Sequence, residues 1–181
     1  MYDIGFTGCK RKFMLFKHAR RCQGLTWSQR DPTVTGAMSI QKQEFYEGAA
    51  LHQIIRGSSG TSSIAHSSPF FIFDGKLQVH LKYSTGKRSP WGFTFMPDEQ
   101  LLLGERALEM PMIIGLICGT DGVATLPYEN YLTIAHAKDT ALRVSCRRNH
   151  REYFEISGPD GTLPGKIPPS DWTRLLSKQG R

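Results

Sequence analysis

The sequence is short of the features that usually announce an activity. It has four cysteines, at 9, 22, 118 and 146, and no two stand in CxxC spacing. That spacing excludes a zinc knuckle, and four scattered thiols fit no disulfide framework, so a reducing, cytoplasmic setting is expected. No phosphate-cradling GxxxxGK[ST] loop, GxGxxG turn, HExxH helix or GxSxG elbow is present. The six histidines, 18, 52, 66, 80, 136 and 150, are dispersed without metal-ligand spacing. The longest apolar run, Met110 to Cys118, is too short and interrupted to cross a bilayer, so no membrane partner is expected. A secretory leader is not recognisable. Internal repeats and low-complexity tracts are also missing.

What is present is a basic chain whose charge is unevenly placed. The formal net charge is +7 over 181 residues. Residues 1–37 carry seven Lys/Arg against two Asp, a balance of +5; the rest carries sixteen basic against fourteen acidic residues, a balance of +2. The basicity therefore belongs mainly to the arm CKRKFMLFKHARRC. Such an arm holds phosphate backbones without reading sequence. Equally, Met38 opens an ordered pattern, which makes residues 1–37 a candidate dispensable, disordered extension translated from an upstream start codon. Residues 38–181 are expected to form a single α+β domain.

Past Met38, Ser39 is positioned to cap a helix from Gln41 to Arg56 that closes at Gly57. Glu44, Glu47, Leu51, Ile54 and Ile55 share one side of it. The two acids either lie at the margin of that side, near the positive helix end, or point across at a sheet. A hairpin is expected next. Phe70 to Phe73 is an apolar run, and Asp74-Gly75 is the dipeptide of a tight turn. Leu77 to Ser84 then alternates, with Leu77, Val79, Leu81 and Tyr83 on one face and Gln78, His80, Lys82 and Ser84 on the other. Trp91 to Phe95 reads as a third strand. Pro97 starts a helix with acids in its first turn, and Met110-Pro111 breaks it. Met112 to Cys118 reads as a strand covered on both faces. Strands at Ala141–Arg147 and Tyr153–Ser157 follow, with Arg147, Arg148, His150 and Arg151 between them, then a short helix at Asp171-Trp172. The fold class is α+β: a small mixed sheet with a helix–strand–strand–strand–helix–strand core and a β-rich C-terminal addition.

That order, with Gln78-Val79-His80-Leu81-Lys82 on the central hairpin strand, resembles the core of the PD-(D/E)XK nuclease superfamily over roughly Glu44 to Cys118. The resemblance implies a nuclease acting on DNA or RNA with Mg²⁺ or Mn²⁺. In such a site the cation activates a water and stabilises charge on phosphorus. It implies Glu47, His80 and Lys82 as catalytic residues, with Glu44 as the alternative helix acid, and Glu47 and Asp74 as metal ligands. The chain departs from the pattern at two positions. His80 stands where the family has an acid, and Ser67 and Ser68 occupy the region of the metal-binding aspartate. Mg²⁺ prefers oxygen ligands. The stretches HLKYSTGKRSPWGFTF and IIGLICGTDGV also resemble a family of small bacterial proteins with no assigned activity. From the residues themselves, Lys82, Ser84, Thr85, Lys87, Arg88, Ser89 and Trp91 suit a phosphate-binding segment with Trp91 stacking on a base. The alternative is a solvated hairpin end with Trp91 in the core. Two functions are therefore expected: a nucleic-acid or protein-partner-binding module on a nuclease-like scaffold, or a metal-dependent endonuclease.

Overall fold

The computed structural model describes residues 39–57 and 63–178. The expected extension over residues 1–37 lies outside them. Among these residues four α-helices and nine strands follow in order, with one 3-10 turn at Gly119–Asp121: α1 Lys42–Gly57, β1 Ile64–Ser67, β2 Phe70–Phe73, β3 Leu77–Tyr83, β4 Trp91–Phe95, α2 Pro97–Glu109, β5 Met112–Ile117, β6 Val123–Pro127, α3 Tyr128–Ile134, β7 Leu142–Arg147, β8 Glu155–Gly158, β9 Gly161–Thr162 and α4 Asp171–Lys178. The α+β class is therefore observed. Among the described residues no helix is long and apolar enough to cross a membrane.

The strands form two sheets, in the orders β1-β2-β3-β5-β6 and β4-β7-β8-β9. Within the first, β3 and β5 run parallel while the other neighbours are antiparallel. The β2–β3 hairpin closes as its sequence dictates. Asp74 and Gly75 take φ of 50° and 66°, and the Lys76 amide donates to the Phe73 carbonyl at 3.0 Å. Positive φ at both central residues suits the right-handed twist of the flanking strands.

Two expectations are corrected. The strand Trp91–Phe95 does not continue the hairpin sheet; it pairs with Leu142–Cys146 in the second sheet. Its place in the first is taken by Ile64–Ser67, which the serine-rich stretch around it disguised as loop. The chain order is therefore α1, β1, β2, β3, β4, α2, β5, with four strands between the two helices where three were expected, and β4 belonging to the other sheet. The cap of α1 also moves. Gln41, not Ser39, accepts the first helical bond, from Phe45 (3.0 Å), and the Glu44 carboxylate accepts from the Gln41 amide at 2.7 Å. A side chain reaching back from the third helical position satisfies an otherwise orphan donor.

Two apolar clusters cover the first sheet. Ala50 and Ile54 of α1 and Trp172 of α4 pack on Phe71, Phe73, Leu77, Val79, Leu81, Ile113 and Ile117. On the other side, Phe70, Met112, Ile114 and Leu116 meet Phe93 and Phe95 of β4, Val144 of β7 and Leu103 of α2. The polar face of β3 is therefore largely shielded from water, with Lys82 at its end partly exposed. It is buried against α2, and its side chains bond that helix from end to end. The Gln78 amide donates to the carbonyls of Arg106 and Met110, the latter at 2.9 Å; the Arg106 carbonyl also accepts from the Met110 amide, so the side chain reinforces the last helical turn and holds the C-cap residue. His80 and Lys82 reach Glu99 in its first turn. The period-two pattern of β3 is observed, with both faces inside.

Candidate functional site

Two groups of residues carry the chemistry. The first lies where β3 ends and α2 begins. β3 and α2 run in opposite directions, so Lys82 and the first turn of α2 arrive together. Glu99 Oε1 lies 2.6 Å from Lys82 Nζ and 2.8 Å from His80 Nε2, and Oε2 also pairs with Lys82. Oε2 accepts from the Met96 amide as well, at 3.3 Å. Burial of Glu99 works against its ionised form, but the hydrogen bonds from His80 and Lys82 and their positive potential outweigh it. The carboxyl is held below its ordinary value. An ionised carboxylate only accepts, so His80 Nε2 carries the hydrogen of its bond. His80 is 4% exposed, and its Nδ1 is buried without a partner. Lys82 Nζ also sits 4.9 Å from the centre of the Phe95 ring, a favourable placement for a cation.

These groups open on a cavity of about 340 Å³ lined by Pro69, Leu81, Tyr83, Asp98, Leu102 and Gln43 beside them. Of the residues named from the sequence, the structure joins His80 and Lys82. Glu47 stays on α1, where its carboxylate accepts from Gln43 at 2.7 Å, and Glu44 serves the cap. Asp74 lies in the turn at the opposite end of β3, accepting from the Ser63 amide at 2.8 Å. Phe70, an aromatic ring, is the cross-strand neighbour of His80. Glu47 and Asp74 are therefore not placed to share a cation, and a divalent cation does not fit at Lys82. Of the two carboxylates that line the cavity, Glu99 already faces an ammonium and an imidazole, which leaves Asp98 alone, and a like charge beside Lys82 is repelled. Among the described residues no group of three His, Cys, Asp or Glu is placed to hold a metal.

Glu99 is the residue that sequence reasoning missed. It was legible only as an acid favouring a helix start. The available signal was the length of the β4–α2 joint: Met96 alone separates strand from helix, which forces the first turn back over the sheet.

The second group lies where β4 starts and β7 ends. The register Trp91↔Cys146 sets the Lys87–Pro90 loop beside Arg147 and Arg148, some sixty positions later in the chain. The Arg148 amide donates to Ser89 Oγ at 3.0 Å and ties the two loops together. The Arg148 guanidinium is spent on structure. It donates to the carbonyls of Glu152 and Asp121, both at 2.7 Å, and stacks over Phe154 at 5.0 Å. Arg151 turns through a φ of 63°, closed by the Glu152 amide donating to the Asn149 carbonyl at 3.1 Å. Lys87, Arg88, Arg147, His150 and Arg151 are left exposed. Glu152, the acid within this segment, is engaged by Lys166 at 2.9 Å.

Two expected binding residues are corrected here. Trp91 is 2% exposed and packs edge-on against Phe154, so it presents no face to a base. Ser84 is buried, and its hydroxyl accepts from the Gly86 amide at 3.3 Å, which shapes the loop. Apolar burial of a ring this size exceeds anything a partly hydrated loop offers, and the tryptophan follows the core. No protein-family model, curated protein or solved structure matches this chain.

Proposed function

We propose that this protein is a nucleic-acid-binding module that holds the phosphate backbone through the basic edge formed by Lys87, Arg88, Arg147, His150 and Arg151. The observation that carries the proposal is the Ser89–Arg148 joint, because it gathers cations from two loops onto one edge of the second sheet. Exposed cations on one edge neutralise successive phosphates, and the release of condensed counterions drives the association without base recognition. Cleavage is not part of the proposal, since the Glu99 carboxylate is committed to Lys82 and His80.

The Lys87→Glu/Arg88→Glu variant is expected to weaken binding of a labelled 20-mer about tenfold or more at low salt. Its log–log salt slope should fall by about 2, one for each lost cation. Fluorescence anisotropy across a salt series measures both. An unchanged slope sinks the proposal, as does loss of all binding when residues 1–37 alone are removed, for then the affinity belongs to the arm. Plasmid and RNA incubated with Mg²⁺ or Mn²⁺, beside Lys82→Ala, test the endonuclease alternative. Cleavage present in the wild type and lost in the variant would overturn a purely binding role.

A further inference from the structure

The basic edge carries an aromatic ring that the core does not claim. Two large aromatic side chains are exposed among the described residues, Phe45 at 64% and Tyr153 at 54%. Phe45 lies on α1 and packs edge-on against Tyr46 at 5.6 Å. Tyr153 lies between the Arg147–Arg151 cluster and β8, and its side chain makes no ring contact or hydrogen bond among the described residues. It offers the free face that buried Trp91 does not.

Its neighbours fix where it points. The Glu152 carbonyl before it accepts from the Arg148 guanidinium at 2.7 Å. Phe154 after it is bonded to Ile167 in both directions, each at 2.8 Å, and its ring is buried. Phe154 and Ile156 turn inward while Tyr153 and Glu155 turn outward, the alternation of an extended chain. The register Arg147↔Glu155 then puts the phenol on the same face as Arg147. Arg143 is exposed on that face as well, and its guanidinium is drawn toward the start of β4. A β-carbon on Gly92 would lie 2.7 Å from Arg143 Nη2, so the bare glycine makes room for the cation. Two acids interrupt the patch. Glu155 stands opposite Arg147, and Glu152 is engaged by Lys166.

We propose that the basic edge takes an unpaired nucleic-acid strand, with a base stacked on Tyr153 and the flanking phosphates on Arg147 and Arg151. The proposal rests on the phosphate-binding reading above, and adds to it the strand class and the residue that engages a base. In a duplex the bases are already stacked on one another, whereas an unpaired base has a free π-face. Stacking on that face is tolerant of sequence, and the neighbouring cations track the backbone. A ring whose backbone is pinned on both sides also loses little freedom on binding.

The test is fluorescence anisotropy of the full-length protein with three end-labelled probes: a thymidylate dodecamer, an abasic phosphodiester of the same length, and a dodecamer duplex. The wild type should bind thymidylate about tenfold more tightly than the abasic strand, which carries the same phosphates. Tyr153→Ala should erase that preference while leaving the duplex affinity and the salt slope unchanged, and Tyr153→Phe should keep it. A uridylate dodecamer should show the same loss, since stacking does not read the sugar. Circular dichroism confirms that the variants fold. Equal wild-type affinity for the thymidylate and abasic strands overturns the stacking proposal and leaves the basic edge standing. So does a Tyr153→Ala variant that keeps the preference, or one that loses the duplex equally, for the ring would then be shaping the edge. A wild type that binds none of the probes overturns the phosphate reading, and the stacking proposal with it.

Discussion

Trp172→Ala is expected to lower the unfolding free energy by about 3–5 kcal/mol, the cost typical of truncating a fully buried aromatic ring. Trp172 is 1% exposed and sits in the cluster between α1 and the first sheet. Its indole N–H donates to the Ala50 carbonyl at 2.9 Å, across 122 positions of sequence. The indole ring also lies where a methyl group on Gly115 of β5 would touch it, at 3.4 Å. One side chain therefore fastens the C-terminal helix to both α1 and the sheet. Urea unfolding of Trp172→Ala and Trp172→Phe measures this, with the phenylalanine recovering a substantial part of the loss through its retained ring. A loss below about 1 kcal/mol for the alanine would show that α4 is not held by this residue. Folded Trp172→Ala should keep the nucleic-acid affinity of the wild type, because the basic edge lies in the second sheet.

Glu99→Gln is expected to cost about 2 kcal/mol at pH 7. Removing one partner of a buried ion pair leaves the other charge uncompensated, which costs about 3–5 kcal/mol in fully buried cases. Here the Lys82 and Glu99 side chains keep 23% and 18% of their exposure, so water compensates part of the loss. The pH dependence has a fixed sign. The Glu99 carboxyl is held below its ordinary value of 4.5, so its stabilisation is fully present above that pH and fades as pH falls through the lowered value. The gap between wild type and Glu99→Gln should therefore narrow in acid, measured by urea unfolding at pH 7 and at pH 3.5. An equal gap at both would mean that the carboxylate is not what holds Lys82. Adding Lys82→Met to Glu99→Gln should return part of the stability, since it removes the stranded charge.

The polar stripe of β3 shows how a correct local pattern can mislead about function. Gln78, His80 and Lys82 alternate with apolar residues as in a half-exposed strand, and an exposed lysine beside helix acids invites a catalytic reading. In the folded chain the stripe is the seat of α2, and each member bonds a group at one end of that helix. A polar residue that bonds a covering helix and one that faces substrate have the same period in sequence. Only the helix above distinguishes them.

What the sequence by itself determined is local. The Asp74-Gly75 turn, the alternation of Leu77 to Tyr83, the proline at the start of α2 and the apolar run of β5 each depend on neighbours within a few positions, and each is observed. What only the tertiary structure decided is pairing across distance. β1 is four residues with a weak pattern and exists because β2 offers it a partner. β4 is claimed by β7, fifty positions later, because the aromatic face of Trp91, Phe93 and Phe95 finds its apolar cover there. The same long-range pairing buried Trp91, gathered the basic edge and carried Glu99 over Lys82. Hydrophobic burial is non-directional and depends on area. It settles which strands meet only when all of them compete for one core, and the charged groups are then placed by the partners that core selects.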